Sequence, residues 1–128
     1  MSALSDYAEN KVLDVLGANA TFTAPSNVYL GLSTASFADD NSGTELSGSN
    51  YARVSVSFGA AAGGTMSNDA AIEFAAATGS WGSVSHWGLF DALTSGNLLV
   101  HGSFTTAKTI ASGDVLKVAT GDLDITAA

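Results

Sequence analysis

Apolar and polar positions change period once along the 128-residue chain. From Leu4 to Leu16, the residues Leu4, Ala8, Val12, Val15 and Leu16 recur at helical spacing, which predicts a short amphipathic helix. Ser5 is placed to cap its N-terminus, Asp6 and Glu9 to sit in its electropositive first turn, and Gly17 to end it in a left-handed conformation. A helix this short is marginal in isolation and needs a surface to pack on. It is therefore expected either as a lid on a sheet or as a docking element.

Beyond Gly17 the period becomes two, the spacing of half-buried strands. Val28, Leu30 and Leu32 alternate with Tyr29, Gly31 and Ser33, while Val54, Val56 and Phe58 alternate with Arg53, Ser55 and Ser57. Ile72 and Phe74 flank Glu73, and extended segments are expected at Trp81 to Asp91, Asn97 to Thr105, Val115 to Val118 and Leu123 to Ile125. In the second of these, alternation sets Leu98, Val100, Gly102 and Phe104 on one face. Turn signals separate the strands at Asp39 to Gly43, Ser47 to Asn50, Gly63-Gly64, Thr78-Gly79, Thr94 to Asn97, Ser112 to Asp114 and Gly121-Asp122. Thr94-Ser-Gly-Asn97 is the best hairpin signal and predicts that the strands on either side of it are neighbours. The expected fold is mainly β: an antiparallel β-sandwich or jelly-roll-like barrel over residues 18–128, with one short N-terminal α-helix in residues 1–17 and a single domain overall. The stretch from Ala35 to Asn50 is too polar for core and is expected as a surface excursion.

Composition narrows the picture. Ala, Gly, Ser and Thr make up half of the chain, and Leu, Ile, Val and Phe about a quarter, so the core must be thin or shared with a neighbour. The formal charge is −8, and Lys11, Arg53, Lys108 and Lys117 are the four cations. A surface of that sign cannot neutralise a nucleic-acid backbone, so nucleic acid is not an expected partner. No apolar run approaches the length of a membrane span and no hydrophobic leader is visible, so no membrane association is expected. There is no cysteine, hence no disulfide and no thiolate zinc site.

The search for reactive constellations returns little, and no catalytic residue, cofactor or metal is expected. His86 and His101 lie on different predicted strands; together with Asp91 or Glu73 they have the residue types of a metal site, but a packed or surface histidine is the simpler reading. The serines lack a G-x-S-x-G elbow. Asp39 to Glu45 places oxygen ligands at alternate positions yet lacks the twelve-residue calcium-loop spacing, so a polar loop is the better reading. Ser112-Gly-Asp114 and Gly63-Gly64 do not follow the spacing of a phosphate-cradling loop. Trp81 and Trp87 have the side chains of a sugar-stacking platform, but in a chain so short of large residues they are expected to face inward as core, worth roughly 2 kcal/mol or more each.

Several segments carry a family resemblance. They are Leu4 to Asp14, Val28-Tyr-Leu-Gly-Leu-Ser-Thr34, Tyr51-Ala-Arg-Val54, Ala77 to Asp91, Ser95 to Gly102 and Lys108-Thr-Ile-Ala-Ser-Gly-Asp114. In this order the chain resembles, over nearly its whole length, a family of small tailed-bacteriophage virion structural proteins commonly labelled tail fibre or capsid decoration proteins. The resemblance implies a virion component without catalytic activity. A tail fibre is long and carries coiled-coil heptads, which this chain lacks, so the first expectation is a capsid cement on the particle exterior. Such a protein would form a homo-oligomer and staple major capsid protein subunits, or other virion proteins, by multivalent non-covalent contacts. The alternative is a tail fibre or tail-tip component with a carbohydrate-receptor role. Contact candidates are Tyr7, Lys11 and Leu13 on the helix, Asp39 and Asp40 in the loop from Ser36 to Asn50, and Arg53.

Overall fold

In the computed structural model, which describes residues 2–127, the apolar alternation becomes a five-stranded antiparallel sheet. Its strands are β1 (Ser2–Leu4), β2 (Val28–Ser33), β3 (Val54–Val56), β6 (Gly82–Phe90) and β7 (Leu98–Ile110), in the order β1-β7-β6-β2-β3. Two further pairs complete the fold: β4 (Thr65–Ser67) with β9 (Asp124–Thr126), and β5 (Ile72–Glu73) with β8 (Lys117–Val118). The mainly β, antiparallel expectation is met, but the sheets stay open and do not close into a barrel.

The register explains the core. Leu4, Val100, Leu89, Leu30 and Val54 stand opposite one another across all five strands, an unbroken apolar row. Leu32 and Trp87 pair in the next row. Against this face the smaller ladders bring Ile72, Val118, Leu123 and Ile125, and the intervening segments add Phe74 and Leu116. Trp81 and Trp87 are both core, only 6% and 4% exposed.

The other face of the sheet is also covered. Phe90 and Leu98 pack with Phe37, which descends from the Ala35 to Asn50 stretch. That stretch is therefore only partly a surface excursion: Phe37 anchors it, 4% exposed. The sheet can accept this cover because Gly31 and Gly88 pair opposite each other. A Cβ on Gly88 would lie 3.0 Å from Leu98 Cδ1 and 3.2 Å from the Phe37 ring, and one on Gly31 2.7 Å from Glu45 Oε2. Leu98 reaches this side through a bulge: Leu89 pairs with Val100 but Phe90 with Leu98, leaving Leu99 as the extra residue. Simple alternation, which set Leu98 and Val100 on one face, fails at that point.

The helix α1 (Asp6–Leu16) starts where expected, with the Ala8 N–H donating to Ser5 Oγ over 3.2 Å. Ser5 is fully buried; its hydroxyl donates to the Leu98 carbonyl and its N–H to Leu99 O at 2.9 Å, so the cap also fastens the helix to β7. Residues 1–17 are thus not a free-standing helical unit, since β1 inside them belongs to the sheet. The C-terminus differs from expectation. Gly17 has φ −81°, and the left-handed residue is Ala18 at φ 55°.

One polar side chain ties the smaller ladders together. Asn68, 2% exposed, donates through Nδ2 to Ala70 O (2.8 Å) and Ala119 O (3.0 Å), and its Oδ1 accepts from the N–H groups of Gly121 (3.1 Å) and Leu123 (2.9 Å). Removing it leaves the buried Leu123 N–H unpaired and takes a partner from part-buried backbone groups at Ala70, Ala119 and Gly121. Asn68→Ala is expected to cost about 3 kcal/mol, each stranded group contributing a share. At this chain length that lowers Tm by roughly 10 °C, measurable by thermal denaturation.

Candidate functional site

The helix that the sheet carries is poorly covered. Every residue of α1 is at least partly exposed. Val12, Val15 and Phe22 are 40% or more exposed, and Leu13 and Leu16 reach 66% and 77%. Between α1, the segment through Phe22 and Pro25, and the sheet lies a groove of about 530 Å³. Leu4, Val28, Leu89 and Val100 form its floor, while Phe58 and Met66 also line it. Leu4, Leu89 and Val100 belong to the cross-sheet apolar row, so the groove is the open end of the main core. Lys11 is the one cation lining it among the described residues, its Nζ 5.5 Å from the Tyr7 ring centroid. A contiguous apolar surface of this kind stands out on a chain of net charge −8.

Two of the contact candidates meet here, Tyr7 and Lys11, which line the groove; Leu13 is 66% exposed on the same helix but is not part of the lining. The other three lie elsewhere. Asp39 is engaged within the fold: its carbonyl accepts the Asp6 N–H at 3.0 Å and its carboxylate meets His101 Nε2 at 2.5 Å. Asp40 is exposed, and its carboxyl is held below the usual range by hydrogen bonds from Ser42. Arg53 is spent inside the molecule. Its side chain is 7% exposed, its Nη2 lies 2.7 Å from Glu45 Oε1, its Nη1 donates to the carbonyls of Ala92 (2.7 Å) and Ser95 (2.8 Å), and its guanidinium carbon sits 3.6 Å from the Phe90 ring centroid. Four of its five N–H donors are engaged in these contacts.

Other candidates resolve into structure. His86, on β6, has its Nδ1 2.7 Å from Ser85 Oγ, whereas His101, on the neighbouring β7, is engaged with Asp39. Among the described residues no three His, Cys, Asp or Glu side chains converge. With both indoles buried, Trp81 giving its N–H to Ser49 O at 3.0 Å, neither forms an exposed stacking platform. Asn68, the bonds of Ser5 to β7 and the Glu45–Tyr51 contact escape sequence reasoning because their partners are set by tertiary structure. Phe22 had a signal, a large apolar residue in an otherwise polar connection.

The Arg53 cluster makes two measurable predictions. Tyr51 donates its phenol to Glu45 and accepts the Leu32 N–H at 2.9 Å. Burial, and then the neighbouring Glu45 carboxylate, push the phenol well above its ordinary value near 10. A raised folded-state value means the contribution is complete below pH 10 and is lost as pH rises past it, because the unfolded chain then releases a proton that the folded chain keeps. Between pH 10 and 12 the wild-type protein should lose up to about 1.4 kcal/mol per pH unit more than Tyr51→Phe in denaturant titrations. Glu45→Gln leaves the Arg53 charge largely buried without its counter-ion. The expected cost is roughly 2–4 kcal/mol, below the full buried-pair value because Glu45 is itself 22% exposed. Combining it with Arg53→Met should cost less than the two single changes summed.

Comparison with known proteins supplies the biological setting. No curated protein matches the chain. A family model does, over residues 3–126, and it is described as podophage GP4 fiber I protein gp80. The match takes in α1, all three sheets and the apolar groove between them, and the chain therefore belongs to this family of phage fibre-type virion structural proteins.

Proposed function

We propose that this chain is a non-enzymatic building block of a phage tail fibre, joined to its neighbours through the apolar face around α1. The observation that carries the reading is that face. An amphipathic helix fastened to the sheet by a buried cap leaves Val12, Leu13, Val15 and Leu16 in water beside an open groove. A fold that stood alone would gain by turning these side chains inward, at about 25 cal/mol per Å² of apolar surface. Leaving them out makes sense where a neighbour covers them. The family description favours the tail over the capsid exterior as the location.

Capsid cementing is the second reading. It draws support from the absence of a coiled-coil element among the described residues: α1, at 11 residues, is far too short to build a fibre shaft. A fibre role then requires that the chain be one module among others along or at the end of the appendage.

Gold-labelled antibody against the protein, viewed on purified particles by electron microscopy, should decorate the tail. Quantitative gel analysis should give a few to a few tens of copies per particle. Label spread over the head with hundreds of copies would establish the cement reading instead. Phage carrying Leu13→Asp with Leu16→Asp should assemble particles that lack this protein, while the purified variant keeps its circular dichroism spectrum, since both side chains are exposed.

A further inference from the structure

We propose that the cleft between the second half of β7 and the segment carrying β8 and β9 is a saccharide-binding site. It goes beyond the reading of the α1 face and shares no lining residue with the groove there. The cleft encloses about 460 Å³, within the roughly 300–1,000 Å³ of small-molecule sites. It is built by a departure of β7 from its ladder. Val84 pairs with Lys108 and His86 with Ser103, so a single β6 residue, Ser85, stands against Phe104 to Ala107 on β7. Extra residues of this kind bend a strand and re-aim its side chains, and here Phe104, Thr105 and Thr106 line the cleft.

The lining has an apolar floor and a polar wall. Trp87, Val118 and Leu123, all buried, supply the floor. The wall carries the exposed hydroxyls of Ser103, Thr105 and Thr106, the ammoniums of Lys108 and Lys117, and the carboxylates of Asp122 and Asp124. Among the described residues, only two of these wall side chains hydrogen-bond within the chain: Asp124 accepts from Ser67 Oγ, and Lys108 Nζ donates to Lys117 O at 3.4 Å. Lys117 Nζ stands 3.7 Å from Glu73 Oε2, outside the cleft. Three of the charged arms are thus positioned by neighbours, which lowers the ordering cost of binding. The cleft's lysines and aspartates form no ion pair with one another, so the space between them stays open.

Charge balance decides the ligand class. Lys108 and Lys117 are half of the cations of the whole chain, yet Asp122 and Asp124 cancel them here. A phosphate-rich or polycationic ligand would meet as much repulsion as attraction. A sugar ring uses both signs, because each of its hydroxyls can donate to a carboxylate and accept from an ammonium, and such charge-assisted bonds are the strong ones. The serine and threonine hydroxyls both donate and accept, which suits the same partner. The C–H faces of the ring need apolar surface, and the floor with the half-buried Phe104 provides it.

The test titrates the isotope-labelled full chain with methyl glycosides of the common hexoses and N-acetylhexosamines, and with their oligomers, and follows the amide chemical shifts. At least one of these sugars should give a saturable change centred on residues 103–108 and 117–124. Asp122→Ala and Lys108→Ala should each weaken that binding roughly tenfold or more. Both side chains are exposed, so Tm should stay within a few degrees of wild type. Leu13→Asp with Leu16→Asp should bind as tightly as wild type, which separates this site from the α1 face. Inorganic phosphate and acetate serve as ionic controls. No saturable change with any sugar, changes centred outside the cleft, an Asp122→Ala variant that binds normally, or a stronger response to phosphate than to every sugar would overturn the assignment. None of these outcomes depends on whether the protein sits on the tail or the head.

Discussion

One side of the central sheet is organised around a charge taken out of water. Arg53 lies over Phe90, in ionic contact with Glu45, with the carbonyls of Ala92 and Ser95 accepting from its Nη1. A buried guanidinium left unpaired is expensive, so each partner is constrained in turn. Glu45 must approach the sheet, which sets the path of the polar loop from Ala35. Ala92 and Ser95 must present carbonyls, which sets the β6–β7 connection. Tyr51 donates to Glu45 and accepts from β2, linking the cluster to the backbone of the sheet. Gly31 is part of the same constraint, because any side chain there would displace the Glu45 carboxylate. Phe37, docked edge-on to Phe90 at 5.8 Å between ring centroids, closes the other end. The loop that looks unstructured by composition is held by the Glu45–Arg53 pair and Phe37, together with the contacts of Asp39 to His101 and Asp6.

What could be read from the sequence was local. The cap at Ser5, the period of two in β2 and β6, the hairpin at Thr94 to Asn97 and the inward indoles follow from residue type and short spacing. In that hairpin the turn forms as its residues suggest, Ser95 and Gly96 taking positive φ and Asp91 accepting the Asn97 N–H at 2.7 Å. What escaped depends on distance along the chain. Asn68 finds acceptors and donors more than 50 residues away, on a segment whose position only the fold defines. The Leu99 bulge has no residue signature, since leucine suits a regular strand equally well. Glu45 and Arg53 are eight residues apart with no periodic relation, so their pairing could not be separated from that of any other opposite charges. Of the apolar face around α1, Val12, Val15 and Leu16 were legible from the helical pattern, whereas Phe58 and Met66 join it only through tertiary packing.

The composition connects these two halves. A chain in which half of the residues are Ala, Gly, Ser or Thr has few large side chains to distribute. The structure spends most of them on two small cores, one on each face of the sheet. Little remains to cover a helix. The four glycines and alanines nearest to the helix end, Gly17, Ala18, Ala20 and Ala24, have no side chains long enough to fold over Val15 or Leu16. The helix is nonetheless held in place, because Ser5 is buried under hydrogen bonds to Leu98 and Leu99, and Asp6 is bonded to Asp39. Its orientation is therefore fixed by polar contacts at one end while its apolar side stays open. That arrangement differs from a helix that has simply frayed from its sheet: a frayed helix loses its cap, whereas this one keeps the cap and lacks only the cover. A preordered apolar ridge loses little further entropy when a partner arrives, so even a modest contact area can hold neighbours together. On the reading proposed above, a neighbour covering it would complete the core that the chain's own small residues leave open, and assembly would then continue folding.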